Sequence, residues 1–170
     1  MALGSIVTTP LARWARSRAL GRGKSVGLWT KLTEPSLEDW ALYLKRHGGF
    51  YSFGEHCAIN YRTMFTDPAY TRIGNNVRIA GAHLFGHDGS VNMINRAFGT
   101  KIDKVGKVDI GNDVFIGIGA MILPGVTIGD RVIVGALSVV SSDIEPDSVV
   151  VGSPAKRICS LTDYVAKLET

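Results

Sequence analysis

The stretch that decides the fold is IGNDVFIGIGAMILPGVTIGDRVIVGALSVV, residues 110–140. An aliphatic residue returns in it every six positions without a slip, at Ile110, Ile116, Ile122, Ile128, Val134 and Val140. An α-helix would need spacings of three and four, and a flat strand would need a spacing of two. A period of six instead indicates a solenoid, in which each unit supplies one short strand and one turn, and three units close a triangular coil.

The same period extends toward the N-terminus with two interruptions. It passes through Phe53, Ile59 and Phe65, stops at 67–72, resumes at Ile73, Ile79 and Phe85, and stops again at 86–109. Glycine follows many of these anchors and suits the turn at a coil corner. We therefore predict an all-β domain over 51–160, a left-handed parallel β-helix of hexapeptide repeats with one long loop, 86–109. Coils of this kind are an exception to the usual right-handed crossover.

The segments on either side of the coil differ from it in composition. Residues 1–33 hold six cations and no acid, whereas the rest of the chain is close to neutral. We predict 1–34 to be irregular, followed by one helix that opens at Pro35–Ser36 and ends at Gly48–Gly49. The predicted domains are thus a basic extension with a helix, 1–50, the β-helix, 51–160, and a C-terminal tail that can form a helix, 161–170.

Composition limits the classes of protein that fit. The chain has 170 residues with 45% hydrophobic and 20% charged residues, and no apolar run reaches the roughly 18–20 residues of a membrane span. Cys57 and Cys159 make neither a disulfide framework nor a zinc ribbon. We predict a cytoplasmic protein without a secretory signal. The basic N-terminus is compatible with a docking arm, a targeting segment or membrane contact, and the body lacks the basic stripe that nucleic-acid binding requires.

Residues 110–158 resemble the hexapeptide-repeat acyltransferases. The run ILPGVTIGD, residues 122–130, and the run VGSPAK, residues 151–156, are specific to that superfamily, and the resemblance covers about residues 51–160. It is strongest to the branch of galactoside, maltose and xenobiotic acetyltransferases. The resemblance implies a homotrimer with active sites between neighbouring subunits. It also implies acetyl-CoA lying along the coil and a histidine at the base of the loop that deprotonates the acceptor hydroxyl.

His87 is our candidate for that base, because it follows Gly86 where the repeat breaks into the loop. A hydroxyl is a poor nucleophile until its proton is withdrawn, and histidine titrates close to neutral pH. His83 is the second candidate, in an orienting or substrate-contacting role, at a position four after Ile79 that often packs inward. His47 and His56 are expected to be structural. By the resemblance, Asn60 and Asp67 correspond to acceptor-binding positions.

The resemblance also assigns residues to coenzyme A. The expected backbone contacts lie along one corner of the coil, and two cations near the C-terminus are expected to contact phosphates. Gly117 and Gly135 would allow a close approach of the cofactor because they lack side chains. The full expected set is Gly117, Ile118, Gly135, Ala136, Ser141, Ser142, Lys156 and Arg157. No metal is required. Some relatives carry Thr-Lys where this chain has Ser141–Ser142, so one cation is missing here.

The predicted function is acetyl-CoA-dependent O-acetylation of a sugar or a glycan precursor, by direct transfer without a covalent enzyme intermediate. Three alternatives stay open. Sugar N-acetylation would need the same base or none. A γ-class carbonic anhydrase would use the same coil, but it needs three zinc-binding histidines, and residues 110–160 contain none. A trimeric scaffold without activity would leave the loop with Gly86–Asp88 unexplained.

Overall fold

The computed structural model describes residues 9–169. Its five α-helices are α1 (Pro10–Arg22), α2 (Val26–Leu32), α3 (Leu37–His47), α4 (Val91–Phe98) and α5 (Leu161–Leu168). Fourteen short strands and one 3-10 helix (Pro68–Tyr70) make up the rest of the regular structure of this range. The strands are β1 (Ser52–Phe53), β2 (Ala58–Ile59), β3 (Met64–Phe65), β4 (Thr71–Ile73), β5 (Val77–Ile79), β6 (His83–Leu84), β7 (Val108–Ile110), β8 (Val114–Ile116), β9 (Met121–Ile122), β10 (Thr127–Ile128), β11 (Val132–Val134), β12 (Val139–Val140), β13 (Ser148–Val151) and β14 (Lys156–Cys159).

The strands form three sheets, which are the three faces of a triangular coil. Sheet 1 has the order β1-β4-β7-β10, sheet 2 has β14-β13-β11-β8-β5-β2, and sheet 3 has β12-β9-β6-β3. From β1 to β12 the chain visits the sheets in rotation, and all strand pairs are parallel except β13–β14. We name the three edges corner 1–2, corner 2–3 and corner 3–1 after the sheets that they join. The parallel coil predicted from the period is thus confirmed, and the five helices limit the all-β description to this part of the chain.

The core is a stack of the predicted anchors. All six anchors between Ile110 and Val140 are at most 1% exposed, and each one pairs with its counterpart in a neighbouring coil. The second set of small and aliphatic residues is buried between them, including Ala120 and Val126. Burial of a branched aliphatic side chain contributes about 1.5–3 kcal/mol. The unbroken period therefore translates directly into a continuous apolar core.

One predicted anchor is wrong. Leu84, rather than Phe85, is the buried residue of β6, and it pairs with Ile122 above it and Phe65 below it. The unit after Ile79 is therefore five residues long instead of six. Corner 2–3 is shorter there, and Ala82 fills the inward position where the uninterrupted period would have placed His83. His83 consequently faces outward from sheet 3, paired with Met64 and Met121.

Corner 1–2 is built from a ladder of amide and carboxylate side chains. Asn75 Oδ1 accepts a hydrogen bond from Glu55 N–H, Asn112 Oδ1 accepts from Asn75 N–H, and Asp130 Oδ1 accepts from Asn112 N–H, all at 2.7–2.8 Å. The residue that follows each rung has a positive φ between 54° and 58°, at His56, Asn76, Asp113 and Arg131. Asn and Asp tolerate this backbone better than most residues with a side chain.

The N-terminal segment is helical, in contrast to the irregular structure predicted for 1–34. Helix α1 packs through Ala12, Ala15 and Ala19, which are at most 3% exposed, and α2 buries Trp29 against the rings of Trp40 and Tyr43 on α3. An alanine face has a low helical periodicity signal, which explains why the sequence pattern missed this helix. Residues 1–8 lie outside the described range.

Helix α3 begins and ends where the sequence predicts. Ser36 is its N-cap and its Oγ accepts from Asp39 N–H at 3.1 Å. The Asp39 carboxylate does not complete a capping box, because it forms an ion pair with Arg16 of α1 at 2.5 Å. Arg16 is thereby neutralised, and Arg18 lies over the Trp14 ring at 4.8 Å. Among residues 9–169, no helix has the length and apolar character that a membrane crossing requires.

Candidate active site

The long loop leaves the coil at corner 3–1 on a paired stalk. Gly106 N–H donates to Gly86 O at 2.8 Å, Asp88 N–H donates to Lys104 O at 3.0 Å, and His87 forms an antiparallel bridge with Val105. The predicted loop 86–109 is therefore anchored at both feet rather than free. His87 sits at the foot of this stalk, next to the wall of the coil.

The His87 ring is held by a short chain of hydrogen bonds. His87 Nδ1 lies 2.6 Å from Asp67 Oδ2, and Thr66 Oγ1 donates to the same carboxylate oxygen at 2.7 Å. Gly86 N–H in turn donates to Thr66 Oγ1 at 3.0 Å. A carboxylate accepts only, so Nδ1 carries a hydrogen, and in the neutral ring Nε2 keeps its lone pair. Asp67 was predicted to contact the acceptor, and the structure places it against the base candidate.

The backbone around this pair leaves no spare room. A Cβ atom added to Gly86 would lie 2.5 Å from Asp67 Cβ and 2.8 Å from Asp67 Oδ2. Burial acts to raise the pKa of the Asp67 carboxyl, but hydrogen bonds from Thr66 and His87 outweigh it and hold this pKa below its ordinary value. Asp67 is therefore ionised at neutral pH. Thr66 was not predicted as a site residue, since a threonine after a coil anchor has no distinctive sequence signal.

An open pocket of about 500 Å³ lies beside His87. Its walls come from the loop foot, from sheet 3 and from corner 3–1 of the next coils. The lining includes Phe85, His87, Lys104, Met121, Leu123 and Ser141. A volume of this size is within the range of small-molecule sites. The His87 side chain is half exposed and lines this pocket.

Ser141 links this pocket to a second one near the C-terminus. The second pocket has a volume of about 230 Å³ and contains Ser141, Ser142, Lys156 and Arg157, four of the residues predicted to contact coenzyme A. Lys156 is exposed and forms no ion pair with any described residue. Arg157 is partly engaged, because its guanidinium donates to Ser148 Oγ at 3.2 Å and to Asp147 O at 3.4 Å.

The remaining residues expected at the cofactor lie elsewhere. Gly117, Ile118, Gly135 and Ala136 occupy corner 2–3, whereas Ser141 and Ser142 occupy corner 3–1, so a single corner does not contain the set. Packing within the coil also requires glycine at both positions. A Cβ on Gly117 would lie 2.5 Å from Ala136 N, and one on Gly135 would lie 2.7 Å from Val151 Cγ1. Their missing side chains allow coil stacking.

Asn60 and His83 come together at corner 2–3, in a pocket of about 310 Å³ that does not include His87. Asn60 Oδ1 accepts from Arg62 N–H at 2.9 Å, which leaves the Asn60 amide hydrogens free to point outward. The His83 ring makes an edge contact with Phe85 at 6.3 Å and no hydrogen bond within the described residues. Within one chain, Asn60 and His83 thus lie at one edge of sheet 3, whereas Asp67 lies against His87 at the other edge.

The loop tip is ordered by one asparagine. Asn95 Oδ1 accepts from Thr100 Oγ1 and from Ile102 N–H, and its Nδ2 donates to Ile102 O, each at 2.8 Å. These bonds close the turn that follows α4. The helix presents Met93 and Phe98 to solvent at 62% and 76% exposure. Among residues 9–169, no group of three His, Cys, Asp or Glu side chains is arranged to hold a metal ion.

Comparisons with known proteins agree with this architecture. Residues 107–142 match the family described as bacterial transferase hexapeptide (six repeats). Protein CapG of Staphylococcus aureus is 43% identical over 113 residues, covering 65% of this chain and 64% of that protein. Galactoside O-acetyltransferase of Escherichia coli is 31% identical over 122 residues, covering 69% and 57%. The chain therefore spans less than two thirds of the length of these curated relatives.

The solved structures include a maltose O-acetyltransferase from Clostridium difficile, which superposes with a TM-score of 0.57. It is 36% identical and covers 66% of this chain and 60% of that chain. The matched family residues coincide with the unbroken anchors of the coil. Residues 107–142 therefore carry the hexapeptide repeats of the bacterial transferase family, and about two thirds of the chain is similar to galactoside and maltose O-acetyltransferases.

Proposed function

We propose that the protein is an acetyl-CoA-dependent O-acetyltransferase that acts on a sugar or a glycan precursor, with His87 as the general base. The observation that carries the proposal is the Asp67–His87 pair, with its free Nε2 beside a pocket that Ser141 shares with the site of Lys156. The names of the relatives, galactoside and maltose O-acetyltransferases, support a sugar hydroxyl as the acceptor.

In the proposed reaction, His87 carries a proton from the acceptor hydroxyl to the leaving thiolate. Asp67 fixes the Nδ1–H tautomer, so His87 Nε2 accepts the proton of the acceptor hydroxyl as its oxygen bonds to the acetyl carbon. The carbon–sulfur bond of the thioester breaks, and the proton on Nε2 passes to the departing thiolate. The ionised Asp67 stabilises the imidazolium in between. Proton transfer by a positioned histidine contributes a factor of about 10²–10⁴ to the rate.

The donor would lie along corner 3–1. Its thioester belongs in the pocket with His87 and Met121, and its phosphates belong near Lys156, the cation without an ion pair to a described residue. Acetyl-CoA supplies an activated acetyl group, and the chain supplies its position and the base. Because Gly117, Ile118, Gly135 and Ala136 lie on the other corner, they contact the donor only if a neighbouring subunit presents that corner. A homotrimer with shared sites is therefore part of the proposal, as is the left-handed sense of the coil.

Three further assignments rest on the resemblance and on composition. We assign transfer of the acetyl group to oxygen rather than to nitrogen because the relatives named above are O-acetyltransferases. A hydroxyl acceptor also needs a general base, which His87 would supply. A cytoplasmic location fits the free cysteines and the nucleotide co-substrate. The basic N-terminal segment is a candidate for membrane contact, and one of its cations, Arg16, is paired with Asp39 of α3.

Thiol release from acetyl-CoA across a panel of sugars tests the proposal. We expect release with at least one neutral sugar and loss of about 10²–10⁴-fold in His87→Ala. Asp103→Asn, an exposed loop acid outside both pockets, serves as the matched control and should retain turnover. Wild-type activity in His87→Ala would refute the base assignment. Tight zinc binding with hydration of carbon dioxide would refute the transferase, and a failure to bind acetyl-CoA at millimolar concentration would favour a scaffold.

A further inference from the structure

Helix α1 has one face that packs on the molecule and one that points away from it. The inner face carries Ala15 and Ala19, which are buried together with Trp29 of α2. The outer face carries two apolar side chains and two cations, at spacings of three and four residues: Leu11, Trp14, Arg18 and Arg22. Residues at these spacings are neighbours on a helix, so they form one stripe. We call these four residues the anchor face.

The apolar members of the anchor face are not covered by any described part of the chain. Leu11 is 51% exposed and Trp14 is 48% exposed. The guanidinium of Arg18 lies over the Trp14 ring at 4.8 Å, which holds a charge and an indole on the same side of the helix. The anchor face thus presents apolar surface with positive charge directly beside it.

The segment around the anchor face carries uncompensated positive charge. Residues 1–33 hold six cations and no acid. Arg16 pairs with Asp39, and the other five cations form no ion pair with any described residue. Lys24 follows Arg22 by two positions, which is well within the distance of about 10 Å over which charges act at moderate salt. The segment therefore attracts an anionic surface.

Further apolar side chains belong to the same segment. Helix α2, which packs beside α1, exposes Leu28 and Leu32 at 36% and 40%. The eight residues before the described range contain Leu3, Ile6 and Val7 and no charged side chain. The apolar content next to the anchor face is therefore larger than its own two side chains supply.

This combination matches the chemistry of a bilayer surface. An indole ring is favoured at the boundary between lipid headgroups and acyl chains, and arginine reaches headgroup phosphates over its apolar stem. Peripheral helices bind membranes through an apolar face flanked by Arg and Lys, and anionic lipids strengthen that binding. A nucleic acid would use the charges but not the exposed Leu11 and Trp14 in this way.

We infer that the anchor face binds the protein peripherally to a membrane surface that contains anionic phospholipid. Leu11 and Trp14 enter the headgroup boundary, and Arg18 and Arg22 lie at the phosphates. The inference deepens the proposed function, because it gives the N-terminal segment a defined surface and a defined lipid chemistry. It does not depend on the transfer reaction, so its test needs no turnover.

Sedimentation of the full chain with vesicles tests the inference. Vesicles of phosphatidylcholine and phosphatidylglycerol at a ratio of about two to one are compared with phosphatidylcholine alone. We expect binding to the mixed vesicles only, and weaker binding as salt is added. Trp14→Ala should weaken binding at least about tenfold, through the lost apolar contact. Arg22→Gln/Lys24→Gln should weaken it about 10–25-fold, since a cation near an anionic surface contributes about fivefold.

Tryptophan emission shows whether the anchor face enters the bilayer. The chain has three tryptophans. Trp29 is 1% exposed and Trp40 is partly buried, so Trp14 is the most exposed of the three. We expect the emission to shift to shorter wavelength with the mixed vesicles and this shift to disappear in Trp14→Ala. Circular dichroism confirms that each variant is folded.

The control variant Lys101→Gln/Arg131→Gln removes two exposed cations from the loop and from corner 1–2, and it should bind like the wild type. A loss equal to that of Arg22→Gln/Lys24→Gln would indicate a response to net charge and overturn the inference. Unchanged binding and emission in Trp14→Ala would also overturn it, in favour of a surface that attracts any polyanion, duplex DNA included. A lower mass of Trp14→Ala in light scattering would overturn it in favour of a second copy on this face. Absence of turnover in the wild type would contradict the proposed function and leave the anchor face standing.

Discussion

Replacing Asp67 by Asn removes the charge that holds the His87 ring while keeping the size of the side chain. The carboxylate oxygen Oδ2 accepts two hydrogen bonds, from Thr66 Oγ1 at 2.7 Å and from His87 Nδ1 at 2.6 Å. An asparagine keeps both hydrogen bonds only if its one oxygen takes the place of Oδ2, and the flipped amide would turn its NH₂ group toward both donors. The imidazolium formed during the reaction also loses its counter-charge.

The expected loss is smaller than for removal of the base itself. A general base contributes about 10²–10⁴-fold, and Asp67 supplies only part of it. The two side chains are 24% and 50% exposed, so water screens their interaction. We expect kcat to fall about 10–100-fold, which corresponds to about 1.4–2.7 kcal/mol of barrier. The KM values for donor and acceptor should change little.

The measurement is steady-state thiol release at saturating acetyl-CoA, with Asp103→Asn as the matched loss of one carboxylate. Circular dichroism and the melting temperature show whether each variant is folded. If kcat of Asp67→Asn stays within twofold of the wild type, then the carboxylate does not position the base. If KM for the acceptor rises and kcat is unchanged, then Asp67 binds the acceptor instead, as the family resemblance implied.

Three further predictions follow from packing and burial. Gly86→Ala should destabilise the fold by about 1–3 kcal/mol and reduce turnover, because the new Cβ would collide with Asp67. Chemical denaturation measures the first effect and thiol release the second, and wild-type values in both would contradict the contact. Asn112→Ala should cost about 1 kcal/mol of unfolding free energy through the lost ladder bond to Asn75, whereas Asn92→Ala on the exposed loop should cost close to nothing. Burial raises the pKa of the Cys57 thiol, so at pH 8 iodoacetamide should modify Cys159 first and Cys57 only after unfolding. Mass spectrometry of the digested protein measures both modifications, and equal rates of alkylation at the two cysteines would refute the burial of Cys57.

The coil could be predicted from the sequence because the same packing requirement repeats in every unit. Every unit between Ile110 and Val140 meets the same demand, an aliphatic side chain at the centre of a triangle, so the pattern accumulates over six repeats. The helix at Leu37–His47 was equally accessible, since its cap and its apolar face are local features. The N-terminal helix was missed because alanines mediate its packing, and alanine carries little hydrophobic contrast.

The candidate site was less accessible from the sequence for a geometric reason. His87 and Asp67 are 20 positions apart, and their contact depends on how many residues each corner contains. An interruption in a period shows where the chain leaves the coil, but it does not show where the chain returns. The different corners of Ile118 and Ser141, in contrast, follow from the period itself, because their anchors Ile116 and Val140 lie four units apart and a coil has three units. The contact of Glu34 with Arg62 across 28 positions has no such signal.

The unit between Ile79 and Leu84 is one residue shorter than the others, yet the strand that follows it pairs in register with both of its neighbours. Gly81, with a φ of 101°, turns the shortened corner, and its carbonyl still accepts from Gly119 N–H of the coil above. The strand after the gap takes its register from the strands on either side, so the missing residue affects one corner and no other. This coil therefore accommodates a lost residue at corner 2–3 and a long insertion at corner 3–1 while the strands keep their register. Single insertions or deletions at a corner can therefore create new pockets and loops on the surface, while the aliphatic core stays the same.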